Sequence, residues 1–475
     1  MEATSLSDRQ RSELNKAVIQ YLERKIQNFD GLARIRSELG VSLQEDTSAG
    51  IPGNYLEKKW ATVVRLQRRI YDLEKEIGEY KELVENYSEL LESSGGMDIR
   101  RDKLNWLPTR AKNVLKLHKG SVTCVSIHPY EPLMATGSQD GTIALWNLLD
   151  LSEPEKVIRN AHTRTINSLV FQSSEITLES TRIVLLASCS SDLLIKLWDC
   201  RTGQVIRVLT GHDHLISGLR FNPADETQLL SCSRDKTVKK WDVLSGWCLL
   251  TIRGHSDWVR SVDVNATGQY ILSCSNDQSV RLTHYDTGAG ISLCLGHEQV
   301  VEDAIFLPME ANEYLDPLVG ISDEIYNTVG YKYCVSGGRD CMMKIWLLSP
   351  PDLANPDRPG PASNPKATLV YESKAHSSWI RSFSMHPNGY YLASCADDKL
   401  IKIWDLRTLA TKQQLNLVSQ LKGHENFVNA IKFAPPVITE HVHLEDKLAN
   451  RKLLDNGIRC YLASVSADDT IRVWV

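Results

Sequence analysis

Seven histidines, His118, His162, His212, His255, His297, His376 and His424, each stand near an aspartate and a serine or threonine. Those residue types make up a hydrolytic triad, in which an imidazole takes the proton of a hydroxyl nucleophile and a carboxylate orients the ring. The repetition argues against that chemistry. A catalytic centre needs one such set, whereas a set used once per repeat is scaffold, so the expectation is a non-catalytic protein.

The histidines open a segment that recurs every 42 to 50 residues or so over positions 113 to 475, the period of a WD-type β-propeller. Four residues after each comes a β-branched side chain, Val122, Ile166, Ile216, Val259, Val301, Ile380 or Val428, which favours a pleated strand and is expected to open the innermost strand of a blade. Asp140, Asp192, Asp235, Asp340, Asp398 and Asp468 each stand six residues before a tryptophan; in the fourth repeat Asp277 is followed at that offset by Thr283. The aspartate suits a tight turn such as 233 to 237, where its carboxylate takes up backbone N–H groups. The tryptophan ends an alternating strand and fills the gap between blades. A four-stranded sheet has two apolar faces that only stacking can bury. These spacings predict an all-β, seven-bladed propeller over 111–475. The seventh repeat stops just after Trp474, so residues near Asn113 to Leu117 are expected to supply its outermost strand and close the ring.

A propeller of that size leaves roughly 110 residues for a second region. A formal charge of −5 with 24% charged residues gives no reason to expect nucleic-acid binding. No apolar run approaches the length needed to cross a bilayer, and the first 30 residues lack the pattern of a secretion signal; a soluble, intracellular protein without membrane insertion is expected. The eleven cysteines include no CxxC pair. Cys189, Cys232, Cys274 and Cys395 recur at equivalent positions and read as small core residues. No cofactor is implied.

Ahead of the repeats, Ser7 and Gln10 form a capping-box pattern before Leu14, Val18, Tyr21 and Leu22, which share one helix face. A second short helix near Phe29 to Leu39 ends at Gly40. Two such helices bury little surface by themselves, so residues 7–40 are expected to dimerise. Leu56, Val63, Ile70, Ile77, Val84 and Leu91 then repeat every seventh position, joined by Leu66 and Leu73. β-Branched residues at one apolar position and leucine at the other predict a parallel two-stranded coiled coil over 54–91, with 92–110 as its tether. Two propellers on one stalk would raise the effective concentration of each binding face.

The fifth repeat is stretched near 308–330 by an insert carrying Glu310, Glu313, Asp316, Asp323 and Glu324, expected to be a solvated acidic loop. Residues 349–366 hold six prolines and are expected to connect two blades stiffly. A sharper signal is the string His-Ser-Asp-Trp-Val-Arg at 255 to 260, matched by His-Ser-Ser-Trp-Ile-Arg at 376 to 381. Trp258 and Trp379 fall just before an inner strand, where an exposed indole beside arginine suits a protein-binding hot spot. Arg234 and Arg339 precede their turn aspartates and Lys399 follows Asp398, all at one end of the propeller. Such a cationic, aromatic face calls for an acidic or mixed helical partner.

Residues 9 to 17, Arg-Gln-Arg-Ser-Glu-Leu-Asn-Lys-Ala, resemble a LisH motif, and Leu56-Glu-Lys-Lys-Trp60 with Val64-Arg-Leu-Gln-Arg-Arg69 resembles the coiled-coil start of the lissencephaly/nuclear-distribution family. With seven WD repeats behind them, nearly the whole chain is similar to that family, and the divergent fourth repeat and long inserts are similar to its fungal members. The resemblance implies a homodimer that binds the heavy-chain motor domain of cytoplasmic dynein, favours assembly of active motor and its delivery to microtubule plus ends, and so serves nuclear migration and spindle positioning. It implies a NudE-type coiled-coil adaptor and a CLIP-type plus-end tracking protein as further partners, and the cytoplasm, cytoskeleton and spindle poles as the location. The motor-contacting positions it implies are Arg234, Arg260, Arg339, Trp379 and Lys399, with Trp258 a further candidate on the same face. From the residues alone, a substrate receptor or scaffold of a ubiquitin ligase or signalling complex is the alternative.

Overall fold

The computed structural model describes residues 107–434, apart from 130, 149, 174–175, 179–180, 321–324 and 352–365, together with 461–474 and, near the amino terminus, 15, 18, 19, 22, 35 and 37–39. The chain divides into two compact units, 1–99 and 100–475. In the first, Asn15, Val18, Ile19 and Leu22 are helical, as are Ile35, Ser37 and Glu38. The Asn15 side-chain amide donates to the Leu39 carbonyl at 3.0 Å. Ile19, absent from the predicted apolar face, is buried, while Val18 and Leu22 are half-buried. Leu14, Tyr21 and the whole coiled-coil segment, with Val63, Leu66, Ile70, Leu73 and Ile77, lie outside the described residues.

In the second unit seven four-stranded antiparallel sheets stand side by side. Their innermost strands are Val122–Ile127, Ile166–Phe171, Ile216–Phe221, Val259–Val264, Val301–Phe306, Ile380–Met385 and Val428–Phe433, each opening on the β-branched residue the spacing indicated. We number the blades one to seven in that order. Successive inner strands pack on one another, and the seventh packs back on the first. Ring closure uses the earliest strand of the propeller: Ala111–Lys116 pairs with Thr470–Trp474, with Leu115 opposite Ile471.

A hydrogen-bond set of a histidine, a hydroxyl, a turn residue and, in six blades, a tryptophan holds each blade. The histidine Nε2 lies 2.6–3.0 Å from a buried hydroxyl, Thr136 in blade one and Ser188, Ser231, Ser273, Ser336, Ser394 or Ser464 in the others. In six blades the tryptophan Nε1 donates to that same oxygen at 2.7–3.0 Å. The histidine Nδ1 meets the turn aspartate at 2.6–3.0 Å in blades two to seven. In blade one Thr142 takes that place at 2.7 Å and Asp140 stands 3.8 Å away. Each aspartate also accepts the N–H two residues on, as Asp398 does from Leu400 at 3.1 Å. The residue between is left-handed in every blade, at φ from 62° to 75°: Gly141, Leu193, Lys236, Gln278, Cys341, Lys399 and Asp469. Six of these positions carry a Cβ that disfavours such a backbone, so the carboxylate's bonds must outweigh the strain.

Blade four shows what the missing indole changes. Ser273 keeps its histidine, but Thr283 sits buried with no partner for its Oγ1 among the described residues. A Cβ on Gly211 or Gly296 would come within 3.1–3.2 Å of a tryptophan ring, whereas at Gly254 the nearest atoms belong to Arg281, at 3.7 Å.

Two expectations about the inserts need correction. The acidic segment of blade five is helical: Met309–Ala311 forms a 3-10 turn, α1 spans Asn312–Val319 and α2 Ile325–Val329. Leu315, Tyr326 and Val329 are buried, and Asp316 accepts from Lys332 at 2.6 Å and from the Tyr333 hydroxyl at 2.8 Å. Apolar residues among the acids pin the segment to the blade. The proline-rich stretch does not join two blades either. It lies between the third and fourth strands of blade five, Met342–Leu347 and Thr368–Lys374; its residues 352–365 are outside those described. In blade six the corresponding connection holds α3, Arg407–Lys412.

Two outcomes follow for stability. Ser394→Ala removes the partner of both His376 and Trp404, whereas Ser273→Ala strands only His255; leaving buried groups unpaired should cost about 2 to 4 kcal/mol in the first and about 1 to 2 in the second, as read from urea unfolding. Burial holds His118, His162 and His424 below the ordinary imidazole value, against the pull of their aspartates. Burial alone would raise Asp468, but hydrogen bonds from Thr470 and the Glu425 N–H, with His424, bring it down to about 2. Both kinds of group bind protons more readily once unfolded. The urea midpoint should therefore fall as pH drops below about 6.5, and fall again between about 4 and 2.

Candidate protein-binding face

In every blade the inner strand starts where the second strand ends, as in Val259 opposite Ser275. The loop before the inner strand and the aspartate turn therefore share one end of the ring. A backbone bond ties them: the carbonyls of Trp258, Val300, Trp379 and Phe427 accept from the N–H groups of Asn276, Arg339, Asp397 and Ala467 at 2.9 Å. The described inserts begin at the far end, since Phe306 lies opposite Cys334, and they leave this face clear.

Five of the six predicted site residues come together on it. The Arg234 guanidinium in blade three stacks 4.6 Å from the Trp258 ring centroid in blade four, and Arg260 covers the same ring at 5.6 Å. Arg260 also donates to Asn276 at 2.7 Å and faces Glu302 of blade five at 3.8 Å. The other oxygen of Glu302 takes the Arg339 Nε at 2.7 Å. Arg339 stacks on Trp379 of blade six at 4.3 Å, and Arg381 covers that ring at 5.3 Å while its fork meets Asp397 at 2.7 and 2.8 Å. An unbroken series of stacks and ion pairs thus runs across four blades. Lys399 stands apart as an exposed side chain on its left-handed turn position.

Sequence reasoning took both tryptophans as exposed. Trp379 is 37% exposed, but Trp258 is half-buried beneath its two arginines. Glu302, Arg381 and Asp397 were missed as members of the site, although Arg260, Glu302 and Arg381 all stand five residues after a repeat histidine. Phe427 was missed as well; it occupies the offset of Trp258 and Trp379 and is 43% exposed.

Cations crowd the face. Burial and then Arg260 pull Arg234 below its ordinary value, with Glu302 opposing. Arg260 is lowered mainly by burial, again against Glu302. Burial would lower Arg381 too, but Asp397 more than compensates. An indole gains from a stacked guanidinium, and an arginine held by stacking can still meet a carboxylate brought from outside.

Below the face, the inner strands surround a channel cavity of about 220 Å³. Its charged groups tie blades together. Arg220 meets Asp263 at 2.8 Å, Asp263 accepts the Phe306 N–H at 3.0 Å, and Asp303 accepts the Phe383 N–H at 2.8 Å. The charge of Arg220, followed by burial, brings Lys432 down to about 8 against Asp263 and Asp303.

The repeat model described as "WD domain, G-beta repeat" matches residues 110–147, 153–199, 203–242, 246–283 and 367–405. The stretches outside those matches, 284–366 and 406–475, include the longest inserts. Over 99% of its length the chain is 41% identical to the nuclear distribution protein PAC1 of Komagataella phaffii, covering 97% of that protein. It is 42% identical to the protein of that name from Meyerozyma guilliermondii and 39% identical to that from Candida albicans, with 99% of each chain covered in both comparisons. Identity at that level, sustained from end to end and joined to a seven-bladed WD ring, makes this chain a member of the nuclear distribution protein PAC1 family.

Proposed function

We propose that the protein is a non-catalytic, homodimeric regulator of cytoplasmic dynein that binds the heavy-chain motor domain through the face bearing Arg234, Trp258, Arg260, Arg339, Trp379 and Lys399. The observation that carries this reading is the linked series from Arg234 to Asp397, with two indoles each under two guanidinium groups. Arg234 and Arg260, half-buried and held below their ordinary value first by burial and then by neighbouring arginines, gain from a carboxylate brought to them, so the partner surface is acidic. Pre-formed stacks lose little side-chain freedom on docking, which favours affinity per contact. Family membership supports a role in nuclear distribution, and with it the cytoplasm and cytoskeleton as the site of action.

In this reading residues 7–40 and 54–91 pair two chains, and two propellers engage the motor machinery with raised effective concentration. Binding promotes assembly of active motor and its targeting to microtubule plus ends, with a NudE-type adaptor and a CLIP-type tracking protein as further partners. Nuclear migration and spindle positioning depend on that delivery.

The full-length chain should sediment at twice its monomer mass, and replacing Ile70 and Leu73 with aspartate should shift it toward monomer. Converting Arg234, Arg260, Arg339, Trp379 and Lys399 together to alanine should abolish binding to purified dynein motor domain while circular dichroism stays unchanged. Single truncation of a central anchor such as Trp379 should cost about 2 kcal/mol, roughly thirtyfold in affinity. Wild-type affinity in the five-residue variant would sink the proposal.

A further inference from the structure

Phe427 holds the same place in blade seven as Trp258 and Trp379 hold in blades four and six, three residues after the repeat histidine, with its carbonyl bonded to the following turn. The two tryptophans each lie beneath a guanidinium from the preceding blade's turn and a second from their own inner strand. Phe427 has neither. The residue at the preceding turn is Asp397, and Arg381 already occupies it through two bonds at 2.7 and 2.8 Å. The residue on its own strand is Asn429, whose amide is committed to the Val122 carbonyl at 2.7 Å and the Ser121 hydroxyl at 3.0 Å. Among the described residues no cation covers the phenyl ring, which is 43% exposed on a loop whose backbone is fixed by the Asn426 side chain at 2.9 Å.

We infer that Phe427 extends the motor-facing surface into blade seven, where its ring receives an apolar side chain of the partner. The inference rests on the motor-binding reading above and adds to it a second chemistry. Blades three to six offer guanidinium groups to carboxylates, whereas blade seven offers a bare aromatic ring on a rigid loop. A ring left 43% exposed with no cation stacked on it among the described residues is removed from water by contact with an apolar group. The partner surface that fits is an acidic stretch flanked at one end by a leucine, methionine or aromatic side chain.

The test is titration of full-length Phe427→Ala, Phe427→Leu, Arg339→Ala and Trp247→Ala against purified dynein motor domain at several salt concentrations. Trp247, 74% exposed, precedes the outer strand of blade three at the far end of the ring and serves as the control. Phe427→Ala should bind about tenfold more weakly, with the wild-type salt dependence and an unchanged melting temperature. Phe427→Leu should recover most of the affinity, Arg339→Ala should both weaken binding and flatten its salt dependence, and Trp247→Ala should bind normally. Full-strength binding by Phe427→Ala alongside weakened Arg339→Ala would overturn the extension and leave the motor-binding reading standing. Full-strength binding by both would overturn that reading itself. A loss that Phe427→Leu shares, accompanied by a lowered melting temperature, would mark a structural role and also defeat the inference.

Discussion

One buried hydroxyl per blade sets the direction of everything around it. An indole N–H can only donate, so in blade six the Trp404 Nε1 gives its hydrogen to Ser394. The serine has a single hydrogen of its own, and it goes to the remaining neighbour, the Nε2 of His376. The imidazole proton must then sit on Nδ1, pointing at Asp398, 2.9 Å away. Donors and acceptors thus run one way from the blade interior to the surface turn, and the same order repeats in blades two, three, five and seven. The carboxylate at its end takes the backbone N–H groups of two loops, Ser377 and Leu400, at 3.1 Å each. That is why the turn tolerates Lys399 in a left-handed conformation. The face residues Arg234, Arg339 and Lys399 each adjoin one of these aspartates. The interior hydrogen bonds therefore position the surface chemistry.

The ring was legible because its signals are local and repeated. All seven inner strands begin on the residue four places after a histidine, and the strand that closes blade seven lay in plain view as an unpaired extended segment. The linkage across the face was harder to read, because it joins residues of neighbouring blades: Arg339 and Trp379 stand forty residues apart and meet only once the turn of one blade is set beside the loop of the next. Glu302 illustrates the difficulty. Its register was visible, but a lone glutamate in a strand carries no sign that two arginines will converge on it. The insert in blade five was misread for the opposite reason, since five acidic residues drew attention away from Leu315, Tyr326 and Val329, which dock it.

The two ends of the ring carry different duties. Connections between first and second strands, and between third and fourth, open at the end away from Trp258 and Trp379, and the long segments at 307–332 and 348–367 and the helix Arg407–Lys412 all fall in such connections. Length can change there without moving an aspartate turn. Tyr314 of α1 meets Tyr390 edge-on at 6.3 Å between ring centroids, and Arg407 of α3 covers Tyr390 at 4.2 Å, so the inserts of blades five and six brace each other across the blade boundary.

Blade four dispenses with its tryptophan while still carrying Trp258 and Arg260. Its hydroxyl, histidine and aspartate remain joined through Ser273, His255 and Asp277, so the turn beneath the face is fixed. The side toward blade three, where Thr283 lies opposite Ile271, is filled without the ring by Ile271 and Tyr285, which cluster with Val238 and Ile252, and on its other side the insert of blade five packs against blade four from the far end. The Asn265 amide of blade four donates to the Val329 carbonyl at the end of α2 at 3.1 Å, and Tyr270 meets Tyr331 at 4.7 Å in an edge-on pair. Tyr270, Leu272, Val280 and Leu282 share one apolar cluster with Leu315, Tyr326, Val329 and Tyr331. Side-chain volume that a single tryptophan supplies in the other six blades comes here from the blade's own Ile271 and Tyr285. The fourth blade can then lose its indole from the interior and still present one on the surface.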